Sequence, residues 1–285
     1  MSTSTMATDN FTKSGPKVTR VGLGGEGILR THQRTARARE VIQAAIKQGI
    51  TYFDSARVYA DSEIYYGSVW QELPQTRLQI FQASKSASRD RAGAQADLEE
   101  TLERLNTNYL DLWQIHDVRT HDDIRKISGP GGALEAFVEA KSSGKVRFIG
   151  VSGHHDPAIL TRAVEEWPVD AVMMPVNPVE VILGGFLTST LAAARAKGIA
   201  IIAMKILGAS HYVHFKFGIT PELLIRYALS HDITVAIVGC SSAEEVKTLA
   251  ETGRDFKPPA AEETSQLLKV FEPYARRLAY YRGVL

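Results

Sequence analysis

Four residues of this 285-residue chain carry side chains that could act together on one reacting group: Asp54, Tyr59, Lys85 and His116. Asp54 stands near the end of T-Y-F-D-S-A, Tyr59 lies five residues on, Lys85 closes F-Q-A-S-K and His116 closes L-W-Q-I-H. Together they make sense as a proton donor to a carbonyl oxygen that is gaining negative charge. A free tyrosine has a pKa of about 10, too high for a good acid near neutrality, and a neighbouring ammonium would stabilise the phenolate and lower it. In this reading Lys85 tunes Tyr59, Asp54 holds Lys85, and a neutral His116 donates a hydrogen bond that orients the carbonyl. The set requires no metal and no covalent nucleophile. What it lacks is a hydride, which a nicotinamide supplies and side chains do not.

Taken singly, three of these residues have ordinary structural roles: Asp54 as a turn cap, Tyr59 as rim packing, His116 as a partner for a backbone carbonyl. Lys85 is harder to explain away. An ammonium ending an apolar strand must find a partner to offset its desolvation, and Asp54 is the candidate.

The elements that would bring the four together are short apolar runs of the kind buried on both faces of a parallel sheet. Eight occur, at Val18–Gly24, Thr51–Ala56, Ile80–Lys85, Leu110–His116, Val146–Gly153, Ala171–Asn177, Ala200–Ile206 and Thr234–Gly239, each followed by a stretch able to hold a helix. In one such stretch Leu98, Leu102 and Leu105 fall at i, i+4 and i+7, with charged residues elsewhere; another spans Gly132 to Ser143. Eight strand-helix units either close into a barrel or form an open doubly wound sheet. Gly22, Gly24 and Gly27 fit the G-x-G-x-x-G pattern of the open sheet, but no helical pattern starts until Thr35, whereas the third glycine of a true fingerprint lies inside the opening helix. The expected fold is a single-domain (β/α)₈ TIM barrel over 17–285, with a flexible N-terminal tail over 1–16 and a C-terminal helical extension from Ala261 packed outside the barrel. In such a barrel the C-terminal strand ends converge on one mouth, and loops Asp117–Gly131 and Ala209–Ile219 are candidate walls of the site. The cluster His211, Tyr212, His214 and Phe215 would then form a wall or lid favouring partly apolar substrates, or simply anchor its loop.

The balance of 33 Lys+Arg against 32 Asp+Glu gives no field to draw the chain to nucleic acid or an anionic membrane. No apolar run is long enough to span a bilayer, and the polar start lacks the features of a secretory signal. A lone cysteine, Cys240, fits a reducing compartment, so the expectation is a cytoplasmic protein, monomeric or weakly homo-oligomeric. Cys240 reads as a buried inert thiol, and His154, His155 and Asp156 point different ways, so no metal site is expected.

In order and spacing, D-S-A-R-V-Y (54–59), A-S-K (83–85) and Q-I-H (114–116) resemble the aldo-keto reductase superfamily. R-V-G-L-G-G (20–25), N-Y-L-D-L (108–112), G-K-V-R-F-I-G-V-S (144–152) and I-V-G (237–239) resemble it too, and the likeness covers roughly 17–252. The resemblance implies an NADPH-dependent reductase of small aldehydes or ketones, NADH being possible, with Tyr59 as the acid. It implies a cofactor held by Gly25, Ser152, Asn177, Met204, Lys205, Leu207, Gly208, Gly239, Ser241 and Ser242. Met204 and Lys205 stand where the family often has a ring-stacking tyrosine and a serine, and the M-K-I-L-G form resembles a bacterial-type subgroup. After strand eight, Ser241, Ser242, Glu244 and Glu245 open a helix whose N-terminus suits a phosphate, or form a capping box. Two rivals share the barrel: a cofactor-binding regulatory subunit with little turnover, and a Schiff-base aldolase using Lys85 or Lys205. Asp54 disfavours the aldolase, because it would keep Lys85 protonated.

Overall fold

The computed structural model describes residues 5–284. Its centre is a closed barrel of eight parallel strands: β3 (Val21–Gly27), β4 (Tyr52–Asp54), β5 (Phe81–Ser86), β6 (Leu110–Ile115), β7 (Val146–Ser152), β8 (Ala171–Pro175), β9 (Ala200–Met204) and β10 (Val235–Cys240). They pair in sequence order, and β10 returns to β3. All eight expected runs become barrel strands. No helix among the described residues is long and apolar enough to cross a membrane.

Two expectations at the N-terminus change. Residues 1–4 lie outside the described residues, but much of the expected tail is structured: β1 (Thr8–Asn10) pairs antiparallel with β2 (Lys17–Thr19). Lys17–Thr19 therefore belongs to this hairpin, and the first barrel strand starts only at Val21. The reason is Phe11 at the hairpin's turn. Its ring is buried and packs 4.4 Å from Phe81 and 5.2 Å from Phe148, closing the lower end of the barrel. Phe11→Ala is expected to cost about 3 kcal/mol of stability; the urea-unfolding midpoint measures it.

The alternation of side chains along each strand sorts the core into two layers. Tyr52, Ala83, Leu112, Met173, Ile202 and Ile237 fill the barrel, while Phe53, Trp113, Ile149 and Val172 face the surrounding helices. Trp113 stacks on Phe137 of the helix Ala133–Ser142, ring centres 3.6 Å apart. The helix Arg91–Arg104 buries Leu98 and Leu102, as its spacing predicts, and starts on Asp90, whose carboxylate accepts from Gly93 N–H. The same alternation continues upward. Asp54 is two residues beyond Tyr52, Lys85 two beyond Ala83, and His116 four beyond Leu112, so all three top the interior.

The glycines of the G-x-G-x-x-G match serve closure of the barrel. Gly27 has φ 69°, and a Cβ there would meet the Cys240 carbonyl oxygen at 2.6 Å. A short 3₁₀ turn (Ile28–Arg30) follows, and the first helix begins at Thr35. The chain is a barrel and not an open dinucleotide-binding sheet.

Candidate active site

Lys85 Nζ donates to Asp54 Oδ2 at 2.6 Å and to the Ser55 carbonyl at 2.7 Å, with both charged side chains essentially inaccessible. Burial pushes the Asp54 carboxyl upward, against the pull of Lys85. At this separation from an ammonium that has no other anionic partner among the described residues, the pair is ionic. Tyr59 sits in the turn after β4. Gly25 makes room for its ring, since a Cβ at Gly25 would come within 2.8 Å of Tyr59 Cδ2. The Lys85 ammonium and the Arg30 guanidinium each lie 4.9 Å from the Tyr59 ring centre. His116 meets the ring edge-on, centres 5.5 Å apart.

The electrostatics correct one expectation. The Tyr59 phenol is not lowered in the resting chain: burial raises it well above its ordinary value, the carboxylates of Asp54, Glu26 and Asp117 add to the rise, and Arg30 opposes it. Asp54 thus works against the cation it holds. Tyr59 is fully protonated, which is the state a proton donor requires. His116 behaves as expected: burial, reinforced by Lys85, lowers its pKa to about 3. Its imidazole is therefore neutral near pH 7 and able to donate a hydrogen bond. The unfolded chain takes up this proton first, near the ordinary 6.5, so the stability linked to the neutral ring is complete above that value and lost as pH falls from 6.5 toward 3. Ring-proton NMR should show no titration of His116 between pH 5 and 9; a midpoint near 6.5 would contradict this environment.

Tyr59 and His116 line a cavity of about 800 Å³ at the C-terminal end of the barrel, together with Ser152, Met173, Met204 and Lys205, while the buried Asp54 and Lys85 are not part of its lining. Lys205 has a left-handed backbone (φ 58°), and its partly buried ammonium forms no ion pair or hydrogen bond among the described residues. Such a group needs an anion, and burial correspondingly lowers its pKa. Ser152 and Asn177 stand beside it but are engaged internally. Ser152 Oγ accepts from Asp117 N–H and donates to the Ile115 carbonyl, while Asn177 Nδ2 donates to the Lys205 carbonyl and to Tyr281 Oη. Gly25, Leu207, Gly208, Gly239, Ser241 and Ser242 lie outside this cavity wall. Ser242 caps the helix Ala243–Arg254 by accepting from Glu245 N–H, but the Glu245 carboxylate accepts from Ser241 N–H at 2.6 Å and not from the N-cap's own N–H, so only half of the expected capping box forms. The Cys240 thiol is buried and pushed up to about 12, an inert group as expected. Among the described residues no cluster could hold a metal ion.

Several wall residues were missed. The C-terminal helix Ala261–Phe271 packs outside the barrel, but the chain beyond it returns to the mouth with Tyr280, Tyr281 and Arg282. Tyr281 Oη donates to Glu180 at 2.6 Å, Arg282 pairs with the same buried carboxylate, and His154 Nδ1 meets the Tyr281 carbonyl at 3.1 Å. The only sequence signal was the Y-Y-R triplet. Its partner Glu180 is about a hundred residues away. The aromatic loop, conversely, does not form the wall: Tyr212 is buried against Phe271 and donates to the Leu278 carbonyl, and Phe215 points to solvent at 72% exposure.

Fold and mouth together define a (β/α)₈ barrel whose interior is topped by an Asp-Lys ion pair, a tyrosine and a neutral histidine. The model of the aldo/keto reductase family matches residues 20–217, and the chain belongs to that family. A probable aldo-keto reductase of Glycine max is 30% identical over 174 residues, covering 56% of this chain and 48% of its own. The chain spans about half the length of the curated relatives it matches first. Among solved structures, an aldo-keto reductase from Bacillus halodurans in its holo form superposes with a TM-score of 0.76 at 21% identity, covering 93% of this chain and 96% of its own. An aldo-keto reductase from Klebsiella pneumoniae in complex with NADPH gives 0.75 at 23%, covering 94% and 96%.

Proposed function

We propose that the chain reduces small carbonyl compounds with a reduced nicotinamide cofactor, NADPH in the first instance and NADH as the alternative. The observation that carries this reading is the buried Lys85–Asp54 pair under a protonated Tyr59, beside a neutral His116, at one mouth. The nicotinamide supplies a hydride to the carbonyl carbon. Ser152, Asn177, Met204 and Lys205 hold the cofactor, and the unpaired Lys205 ammonium suits one of its phosphates. Gly25, Leu207, Gly208, Gly239, Ser241 and Ser242 extend this site beyond the cavity, as the family resemblance implies. That NADPH is bound by a relative of the same fold supports the cofactor's chemistry.

His116 orients the substrate by donating a hydrogen bond to its oxygen. As negative charge builds there, Tyr59 Oη delivers its proton. The ammonium over the ring stabilises the phenolate left behind, so the cation-ring contact is worth more at the transition state than in the resting chain. Asp54 keeps Lys85 charged and in place. Loss of absorbance at 340 nm with NADPH or NADH and a panel of small aldehydes tests the proposal. Turnover supports it, whereas tight cofactor binding without turnover would favour the regulatory-subunit reading.

A further inference from the structure

Behind the turn that carries Tyr59, between the barrel and its helices, Arg104 Nε lies 3.3 Å from Glu63 Oε2, and neither side chain lines the cavity. Glu63 is fully buried near the start of the helix Ser62–Glu72, four residues after Tyr59. Its Oε1 accepts from Ser84 Oγ at 2.6 Å and from Thr101 Oγ1 at 2.9 Å. Ser84 precedes Lys85 on β5, and the alternation along the strand sends the hydroxyl out to Glu63 while the ammonium points in. Burial pushes the Glu63 carboxyl upward, and the two hydroxyls and Arg104 oppose the rise. One buried carboxylate thus ties the helix that follows Tyr59 to the strand that carries Lys85.

Arg104 carries the tie one step further. It ends the helix Arg91–Arg104, which packs so closely on the helix Ser62–Glu72 that a Cβ at Gly67 would collide with the Arg104 carbonyl oxygen. From there Arg104 Nη2 donates to the Ala60 carbonyl at 2.5 Å. Ala60 directly follows Tyr59 and holds a left-handed backbone (φ 46°), which a residue with a side chain keeps only where its surroundings impose it. The charge-assisted bond to its carbonyl is such a constraint. A second tie, from Gln33 N–H to the Asp61 carboxylate at 2.9 Å, lies at the surface. On its inner side the same turn is bound to the lysine. Arg57 N–H donates to the Lys85 carbonyl at 3.0 Å, and Ser55, whose carbonyl accepts from Lys85 Nζ, donates through its hydroxyl to Ser62 at 2.8 Å. With that side fixed by the strand, the freedom left to the phenol is decided at Ala60. A displacement of about 1 Å in a reacting group can cost about 10²-fold in rate.

We propose that Arg104, anchored on Glu63, is a positioning residue for the proton donor: it fixes the turn at Ala60 and thereby the placement of the Tyr59 phenol between Lys85 and the carbonyl oxygen. The proposal rests on the reductase reading above. Its test compares the wild-type chain, Arg104→Met and the double variant Glu63→Gln with Arg104→Met. Each is followed by thermal unfolding, NADPH titration, kcat for a small aldehyde and the solvent deuterium isotope effect on kcat. Arg104→Met leaves Glu63 buried without its cation and should melt earlier. In the double variant the side-chain amide at position 63 still accepts from Ser84 and Thr101 and needs no cation, so most of the stability should return. In both variants kcat should fall about tenfold or more, NADPH affinity should stay within about twofold, and the solvent isotope effect should exceed the wild-type value, because proton delivery has become the slow step. A double variant that regains the wild-type kcat along with its stability, or a loss of kcat with an unchanged isotope effect, would overturn the positioning role and leave the reductase reading in place. A wild-type chain that binds NADPH and turns over no aldehyde would overturn both.

Discussion

Tyr59→Phe is expected to bind NADPH as the wild-type chain does and to reduce carbonyls about 10³-fold more slowly, the scale of a lost general acid. The substitution removes one oxygen. The ring keeps its place between Arg30, Lys85 and His116, so the fold is undisturbed. Because the phenol is raised by burial, no limb of the wild-type pH profile near neutrality should come from its ionisation in the free enzyme. Steady-state rates with a cofactor-binding titration separate the two effects; retained activity would assign proton donation elsewhere.

Lys85→Met should both destabilise the chain and inactivate it. The change leaves the Asp54 carboxylate buried without its cation, and breaking such a pair costs about 3–5 kcal/mol. The loss has a definite pH sign. With its folded pKa above the unfolded one, Asp54 is tolerated as the neutral acid below the unfolded value, and stability falls as pH rises through the folded value. Replacing both members, Asp54→Asn with Lys85→Met, should recover most of the stability and none of the activity. Chemical denaturation of the single and double variants checks this. A double variant as unstable as Lys85→Met alone would mean that packing of the lysine stem, and not charge, holds the barrel top.

Much of this was legible in the sequence because the signals are local. Buried parallel strands leave continuous apolar runs, and the period of two lifts Asp54, Lys85 and His116 onto the interior side of the mouth. The hairpin at Thr8–Thr19 was not legible, since its stabilising residue, Phe11, is a single aromatic in a polar stretch whose partners Phe81 and Phe148 are far along the chain. The return of Tyr281 and Arg282 to Glu180 escaped for the same reason. The direction of the Tyr59 shift was misjudged because pairing types alone ignores burial, and burial, with the carboxylates of Asp54, Glu26 and Asp117, outweighs the Arg30 guanidinium. Nothing in the sequence singles out Arg30 and Arg119, and only the closed barrel brings them to the cavity that Tyr59 lines.

The central claim is hydride transfer to a carbonyl with Tyr59 as the proton source, and its most direct test is the mass of the alcohol formed from a small aldehyde and NADPH deuterated at both C4 positions of the nicotinamide. The account predicts an alcohol one mass unit heavier, formed by the wild-type chain and nearly absent with Tyr59→Phe. Saturating cofactor binding with no labelled alcohol from either chain would contradict it.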